Sequence, residues 1–280
     1  MKPKAKILPQ CLKHLIRNSL AVFLSRLRLP ACCAAVLLAA GIAAGQPATT
    51  NLPPTPPSES LNRIRALLAD KSHPLTWVFT GDSITHDAKH THGSRTYVEH
   101  FAERVRWELG RVQDIVINTG ISGDKADGIL RTFEWRIGRF KPDVVSIMIG
   151  MNDCTRGPKK REEFRTNLCQ LIHQTRALRA VPVLHTQNTT EPSAAQERGD
   201  LPAYAAIVAE VAHDEKAVLV DHWQHWQTAC QDPQSLKQWL NDPIHPNARG
   251  HREFAILTFQ VLGIYSTNSP ACQPTPPLFP

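Results

Sequence analysis

The sequence predicts an α/β protein with a three-layer α/β/α architecture, in which helices cover both faces of a doubly wound parallel sheet. Two observations lead to this class. Short, continuously apolar segments alternate along the chain with segments of helical periodicity. The apolar segments lack the polar alternation of strands with one solvated face, so both faces of the sheet need covering helices. Right-handed crossovers between such strands give a flavodoxin-like sheet.

The first half of the compact region contains three strand signals and two helix signals. Residues 75–80 form a short apolar run that ends before a glycine, which predicts a buried strand. Residues 97–109 have apolar side chains at helical spacing. Residues 114–118 are short and rich in β-branched side chains, which predicts a strand. Residues 127–140 are predicted to be a helix, and residues 144–149 a fully apolar strand.

The second half repeats the alternation. Residues 162–179 predict a long helix, and residues 181–186 a strand after a turn. Residues 203–213 predict a helix and residues 217–220 a short strand. Residues 247–262 predict the final helix. Helices between all the strands leave no room for a simple hairpin, which supports the parallel sheet.

Composition divides the chain into four segments. Residues 1–45 are predicted to be a signal peptide or an N-terminal membrane anchor, and residues 46–58 a linker rich in Pro and Thr. Residues 59–265 form the predicted domain, whose length suffices for one sizeable core. Residues 266–280 are Pro-rich, and we expect them to lie over the surface or to extend freely.

Positive charge is concentrated at the N-terminus. The 280 residues carry a formal net charge of +7. The basic residues before position 30, with no acid among them, account for all of it: Lys2, Lys4, Lys6, Lys13, Arg17, Arg26 and Arg28. The remainder is formally neutral, which argues against a nucleic-acid partner. The apolar run 31–44 is short for a bilayer span, so we expect a secreted or periplasmic protein that meets the membrane only if this segment stays uncleaved.

Four cysteines lie outside the N-terminal segment: Cys154, Cys169, Cys230 and Cys272. An even number without metal-type spacing is compatible with two disulfides in an exported protein. Proximity in sequence favours pairing Cys154 with Cys169 and Cys230 with Cys272. Four free thiols remain the alternative.

Four short polar motifs follow predicted strands or precede the last helix. G-D-S-I-T brings Ser83 directly after the first strand. N-T-G-I-S-G-D contains Gly123, and G-M-N-D contains Asn152. D-P-I-H-P-N contains Asp242 and His245. Because ligands bind at the carboxyl ends of parallel strands, we expect all four motifs at one edge of the sheet.

These residue types predict nucleophilic catalysis. A serine hydroxyl needs a base to take its proton, and the imidazole of His245 is suited to that task. Asp242 lies three residues earlier, so a single turn can present a carboxylate that fixes the imidazole tautomer. The backbone N–H groups of Ser83 and Gly123 and the side-chain amide of Asn152 can stabilise an oxyanion.

The four motifs, in this order, resemble those of the SGNH or GDSL hydrolases over about residues 75–262. The resemblance implies an SGNH hydrolase fold in which Ser83 is the nucleophile and first oxyanion donor, His245 the base and Asp242 its orienter. It also implies that Gly123 and Asn152 complete the oxyanion hole. We expect no cofactor and no metal.

Two further segments have no assigned part in this chemistry. His86, His90 and His92 have spacing that could bind a metal, but a solvated loop at the mouth of the active site is the favoured interpretation. Arg95 and this loop could also shape substrate choice. The segment 222–226, with the sequence HWQHW, could stack a sugar ring, although core packing is the more frequent fate of such aromatics.

The expected function is that of an exported serine ester hydrolase acting through an acyl-enzyme. The resemblance extends to carbohydrate acetylesterases, so the expected partners are acyl esters of a glycan or small molecule. A lipase or lysophospholipase of the same family is an alternative, but no continuous apolar lid segment is present in the sequence. A non-catalytic binding protein on this fold is a second alternative, and it would require a lost triad residue.

Overall fold

The computed structural model describes residues 58–86 and 89–273. The predicted signal peptide or anchor at 1–45 lies outside these residues, as do almost all of the predicted linker at 46–58 and residues 274–280. Among the described helices, none has both the length and the apolar character that crossing a bilayer requires.

A parallel sheet forms the centre of the described domain. Its strands are β1 Thr76–Gly81, β2 Ile115–Asn118, β3 Val144–Met148, β4 Val181–His185 and β5 Val218–Val220. The strand order is β2-β1-β3-β4-β5, and every neighbouring pair is parallel. This is the flavodoxin-like order, so the predicted fold class is confirmed.

Helices alternate with the strands and cover the sheet in two layers. In chain order the helices are α1 Glu59–Ala69, α2 Ser83–His86, α3 Tyr97–Glu103, α4 Ala126–Arg131, α5 Phe133–Arg136, α6 Arg161–Ala177, α7 Leu201–Asp214, α8 His222–Ala229, α9 Pro233–Lys237 and α10 Ala248–Leu262. Helices α1 and α3 both pack on α10, and helices α4 and α7 both pack on α6. The sheet between these groups completes the three layers.

The core fixes the strand that leads into the site. Strands β3 and β4 are buried over their whole length, as their apolar sequences predict. In β1, the rings of Trp77 and Phe79 each lie 4.9 Å from the ring of Phe101 in α3. Full burial of one such side chain contributes roughly 1.5–3 kcal/mol. The carboxyl end of β1 is therefore held by packing on α3.

The helix predicted at residues 127–140 is wrong as a continuous element. It is divided into α4 and α5 by Thr132, whose backbone leaves the helical region at φ −114° and ψ 16°. After α5 the chain turns, and the buried guanidinium of Arg136 donates to the carbonyls of Gly81 and Thr119. Side-chain periodicity gives no signal for this break or for the long-range contacts of Arg136.

Other boundaries differ more modestly. The helix predicted at 97–109 changes after Glu103 into a π-helical turn, Arg104–Glu108, closed by the N–H of Leu109 donating to the carbonyl of Arg104. Helices α1 and α8 were not predicted. Both helices begin at a residue whose side chain caps the N-terminus. Oγ of Ser58 accepts from the N–H of Leu61 in α1, and the carboxylate of Asp221 accepts from the N–H of Gln224 in α8.

The two cysteine pairings favoured by sequence proximity do not form. Cys154, Cys230 and Cys272 are free thiols, which excludes both pairs. The thiol of Cys154 donates to the carbonyl of Met151 at 3.1 Å within the turn after β3, and burial raises its pKa to about 12. This local contact, which proximity to Cys169 in sequence cannot reveal, turns the sulfur towards its own loop.

The start of the predicted C-terminal segment lies against the domain. Cys272 is buried, and the N–H of Ala271 donates to Glu108 at 2.9 Å. Arg252 in α10 donates to the carbonyl of Gln273 at 2.7 Å. Residues 266–273 therefore lie over the surface, which is one of the two expected arrangements.

Candidate active site

A hydrogen-bonded chain of three side chains lies at the carboxyl edge of the sheet. Ser83 begins α2 directly after β1, and its Oγ is 2.9 Å from Nε2 of His245. Nδ1 of His245 is 2.7 Å from Oδ2 of Asp242. The serine is only 7% exposed, so its hydroxyl lies in a largely water-excluded position. The geometry thus brings together a hydroxyl, an imidazole and a carboxylate from opposite ends of the domain.

The turn at residues 242–245 holds the carboxylate against the imidazole. Oδ1 of Asp242 accepts from the backbone N–H groups of Ile244 and His245, each at 2.8 Å. Burial acts to raise the pKa of Asp242, but these hydrogen bonds and the one from the His245 ring outweigh it and lower the pKa. The carboxylate is therefore ionised at neutral pH and accepts the proton on Nδ1.

Asp82 fixes the turn that carries Ser83. It is fully buried, and its carboxylate accepts from the N–H of Ile84 at 3.0 Å and from Nε2 of Gln187 at 3.2 Å. Burial raises the pKa of Asp82 to about 7, an effect that the Ile84 hydrogen bond opposes and the charge of Asp153 reinforces. These contacts make Asp82 a structural carboxylate of the turn.

Gly81 and Gly123 meet two different backbone requirements. A Cβ on Gly81 would lie 2.3 Å from the carbonyl of Met148, so only glycine allows β1 and β3 to approach here. Gly123 has φ +81° in a turn closed by the N–H of Asp124 donating to the carbonyl of Ile121 at 3.1 Å. Open space faces the Cα of Gly123, so the backbone there is accessible to a ligand.

Each of the three expected oxyanion donors has an N–H hydrogen that is not donated to any described residue. Neither the backbone N–H of Ser83 nor that of Gly123 donates to another residue in the described part of the chain. Nδ2 of Asn152 donates to the carbonyl of Asp124 at 3.1 Å, which uses one of its two hydrogens. Its Oδ1 accepts from Nη2 of Arg198 at 3.4 Å, so the guanidinium orients the amide.

Asp153 anchors the loop that follows Gly123. Its Oδ1 accepts from the N–H of Ala126 at 3.0 Å. Its Oδ2 is buried with no hydrogen-bond partner among the described residues, and burial raises the pKa of this carboxyl to about 7. The hydrogen bond from Ala126 makes Asp153 a structural residue of this loop.

Arg136 is a supporting residue that sequence reasoning missed. Its guanidinium is fully buried and donates to the carbonyls of Gly81 at 3.1 Å and Thr119 at 2.7 Å. It also pairs with the carboxylate of Asp124, next to Gly123. One side chain thus joins the ends of β1 and β2 to the Gly123 turn. No motif signals this role, because the partners are distant in sequence.

The three histidines that follow the nucleophile have different surroundings. Nδ1 of His86 lies 2.9 Å from Oγ of Ser122, and the side chain of His92 is exposed. The ring of His90 stacks on that of His245 with centroids 3.7 Å apart and planes 11° apart. His90 therefore lines the site, as expected of this loop, but its side chain is half-buried against the predicted base rather than solvated.

One group of side chains has metal-ligand geometry. Donor atoms of His90, Asp242 and His245 lie within 4.8 Å of one another. Both ring nitrogens of His245 are already used, one towards Ser83 and one towards Asp242. A cation bound by this group would need a ring nitrogen of His245 as a ligand, and that nitrogen could then no longer bond to Ser83 or Asp242. Cation binding and the hydrogen-bonded arrangement are therefore alternatives.

The side chains of the HWQHW segment also differ in their burial. Trp226 is fully buried and lies with its ring 5.0 Å from that of Trp239 and 5.4 Å from that of Phe254. His222 is fully buried too, 4.3 Å from the ring of Phe254. The core-packing interpretation is confirmed for these two residues. Trp223, by contrast, is half-buried.

Known proteins share this fold and sequence pattern. The sequence model of the GDSL-like lipase/acylhydrolase family matches residues 79–253, more than half of the chain. An acetylxylan esterase from Geobacillus stearothermophilus is 27% identical over 210 residues, which cover 66% of this chain and 93% of that protein. A solved acetyl xylan esterase variant from that organism has a TM-score of 0.59 at 24% identity, covering 71% of this chain and 100% of its own. A solved α/β hydrolase enzyme from the metagenome of Lake Arreo, Spain, has a TM-score of 0.58 at 24% identity, covering 68% and 95%.

Fold, family match and relatives define this molecule as a carboxylic ester hydrolase. The solved structures establish the likeness of fold, and the family match adds the sequence motifs. The chain belongs to the GDSL-like lipase/acylhydrolase family. The resemblance that the four motifs indicated is therefore confirmed.

Proposed function

We propose that the protein is an exported esterase that removes short acyl groups, acetyl above all, from a carbohydrate through an acyl-enzyme on Ser83. The observation that carries the reaction type is the pair of hydrogen bonds linking Ser83, His245 and Asp242. The acetylxylan esterase that matches over nearly its whole length supports the substrate class. The basic and then apolar N-terminal sequence supports export.

Acylation begins with the hydroxyl of Ser83. Its Oγ attacks the carbonyl carbon of the ester while Nε2 of His245 takes the proton. Asp242 accepts the hydrogen bond from Nδ1 and stabilises the positive charge that forms on the ring. The tetrahedral oxyanion accepts from the N–H groups of Ser83 and Gly123 and from Nδ2 of Asn152, which together lower the barrier. The sugar hydroxyl then leaves with the proton from His245.

Deacylation repeats the steps with water in place of the sugar. His245 takes a proton from the water as its oxygen attacks the acyl carbon. The same donors stabilise the second oxyanion. Collapse of this intermediate releases the carboxylic acid and returns the proton to Ser83.

The test of the proposed reaction is replacement of the nucleophile. Ser83→Ala should abolish hydrolysis of p-nitrophenyl acetate, because no other described residue has the same bonds to His245. Ser72→Ala is the matched control, since that exposed serine lies before β1, at the opposite end of the strand. A serine-directed fluorophosphonate should add its mass to wild type and to Ser72→Ala but not to Ser83→Ala. Equal hydrolysis by Ser83→Ala and wild type would refute the assignment.

The substrate and the location need separate measurements. A series of p-nitrophenyl esters should show the highest kcat/KM for acetate, with a steep decline as the acyl chain lengthens. Release of acetate from an acetylated xylo-oligosaccharide would support the carbohydrate assignment. Preference for long acyl chains would favour the lipase alternative. Recovery of the protein outside the cytoplasm with a new N-terminus would support export and cleavage.

A further inference from the structure

A cavity lies between the segment 189–202, which follows β4, and the side chains of Trp223 and Gln227 in α8. Its volume is about 460 Å³, within the range of small-molecule sites. Its wall is mostly apolar, with Trp223, Leu201 and Pro202 among its residues, and it includes polar side chains such as Thr189, Gln196 and Arg198. It is called the Trp223 cavity below.

The wall of the Trp223 cavity is tied to both halves of the proposed catalytic machinery. On one side, the N–H of Glu191 donates to the carbonyl of Pro243 at 2.9 Å, which fixes the loop carrying Thr189 and Thr190 against the 242–245 turn. On the other side, Arg198 donates to the amide oxygen of Asn152. The wall of the cavity is thus linked by direct hydrogen bonds to the 242–245 turn and to Asn152.

Trp223 presents its indole differently from the other tryptophan of α8. Its backbone N–H donates to Oγ1 of Thr186 at 2.8 Å, and that hydroxyl donates to Asp221 at 2.9 Å, so its position at the start of the helix is fixed. Trp226 packs between aromatic rings in the core. The ring of Trp223 has no aromatic partner among the described residues, and its Nε1 donates to none of them.

An indole beside apolar side chains, with amide, hydroxyl and guanidinium groups in the same wall, matches the two kinds of surface on a sugar ring. The C–H face of a pyranose ring packs on an aromatic face, while its hydroxyls need hydrogen-bond partners at the edge.

We propose that the Trp223 cavity is a glycan subsite that receives a sugar ring on the alcohol side of the scissile ester, with the ring stacked on Trp223. This inference rests on the proposed function, because it supplies the carbohydrate part of the substrate with a place to bind. The acyl group itself lies at Ser83, so a small aryl acetate does not need the subsite.

The experiment compares two substrates on one pair of variants. Trp223→Ala should raise KM for an acetylated xylo-oligosaccharide by about 5- to 30-fold, the effect of losing one or two kcal/mol of binding. KM and kcat for p-nitrophenyl acetate should stay within about twofold of wild type, because this ester leaves the cavity empty. Trp223→Phe should fall between, since it retains a smaller aromatic face. Trp107→Ala is the matched control, because Trp107 is a strongly exposed tryptophan of the π-helical turn.

A direct binding measurement distinguishes loss of the subsite from misfolding of the variant. In the Ser83→Ala background, calorimetric titration with the same acetylated oligosaccharide should show weaker binding for Trp223→Phe than for intact Trp223. Circular dichroism and the thermal midpoint establish that each variant is folded.

Two results would overturn the inference while leaving the proposed function standing. One is an unchanged KM for the oligosaccharide in a folded Trp223→Ala protein that remains active on p-nitrophenyl acetate. The other is a larger KM increase for p-nitrophenyl octanoate than for the oligosaccharide, which would make the cavity an acyl-chain site. A result that refutes the proposed function would look different, because wild type would then not hydrolyse p-nitrophenyl acetate through Ser83.

Discussion

Asp242→Asn tests whether the carboxylate sets the tautomer of His245. An asparagine has two ways to occupy the same place. In the first, its oxygen keeps the two 2.8 Å hydrogen bonds from the backbone N–H groups of Ile244 and His245, and its NH₂ faces Nδ1. Nδ1 must then be the acceptor, so the ring proton moves to Nε2. That nitrogen can no longer take the proton of Ser83.

The second orientation preserves the tautomer but is less stable. Turning the amide of Asp242→Asn brings its oxygen to Nδ1 and its NH₂ towards the two backbone N–H groups. Two hydrogen bonds of about 1 kcal/mol each are lost, so the competent orientation is populated about 30-fold less. Loss of the negative charge that stabilises the imidazolium adds to this penalty. Together these effects predict a decrease in kcat of about 10⁴-fold, or about 5.5 kcal/mol.

The measurement is the initial rate of p-nitrophenyl acetate hydrolysis, with Ser83→Ala giving the background. Asp232→Asn is a closely matched control, because Oδ1 of Asp232 also accepts two backbone N–H groups, those of Gln234 and Ser235, but no histidine ring adjoins it. Its activity should equal that of wild type. The thermal midpoint should change little in Asp242→Asn, since 42% of that side chain is exposed. Turnover of Asp242→Asn within about tenfold of wild type would refute the tautomer argument.

Three other changes have outcomes that follow from the geometry. Asn152→Ala should lower kcat for p-nitrophenyl acetate by about 10²–10³-fold with little change in KM, as one oxyanion donor is lost, and a decrease below about tenfold would exclude that role. Burial lowers the pKa of His185 to about 3, so only the unfolded chain gains a proton there between about pH 7 and 5. His185→Gln should therefore destabilise the protein less at the lower pH in urea titrations, and an equal loss at both would contradict this. The pKa of Asp82, about 7, is raised by burial, so the folded wild type loses stability as pH rises through that value and Asp82→Asn does not. The stability of the variant relative to wild type should increase between about pH 6 and 8, and a constant difference would show that Asp82 is already ionised.

The sequence was sufficient for the strands and for the residues that follow them. Ser83 follows β1, Gly123 follows β2 and Asn152 follows β3, as the motifs indicated. Local chemistry explains this success. A short apolar run can only be a buried strand here, and a polar motif directly after it must lie at the carboxyl edge of a parallel sheet. Asp242 and His245 were predictable for a similar reason, because a three-residue separation lets one turn present both side chains.

Residues whose roles depend on distant partners were not predictable. Arg136 joins Gly81 and Asp124, and Arg198 reaches Asn152 across 46 positions of sequence. Arginines at such positions look like ordinary solvated residues of a helix or a loop. Only the folded chain reveals that both guanidinium groups are used by the proposed oxyanion region.

His90 illustrates how far such a long-range contact can affect the proposed chemistry. Its ring lies parallel to that of His245 at 3.7 Å, and its Nδ1 is 4.0 Å from Oδ2 of Asp242. The imidazolium formed during acylation would therefore have Asp242 at its edge and the His90 ring on its face. A neutral His90 offers that cation a π face, whereas a protonated His90 would place a like charge against it. The same contact restricts the His245 ring to the plane that joins Ser83 to Asp242. The residue following the nucleophile by seven positions thus bears on the base, although nothing in its local sequence distinguishes it from His86 or His92.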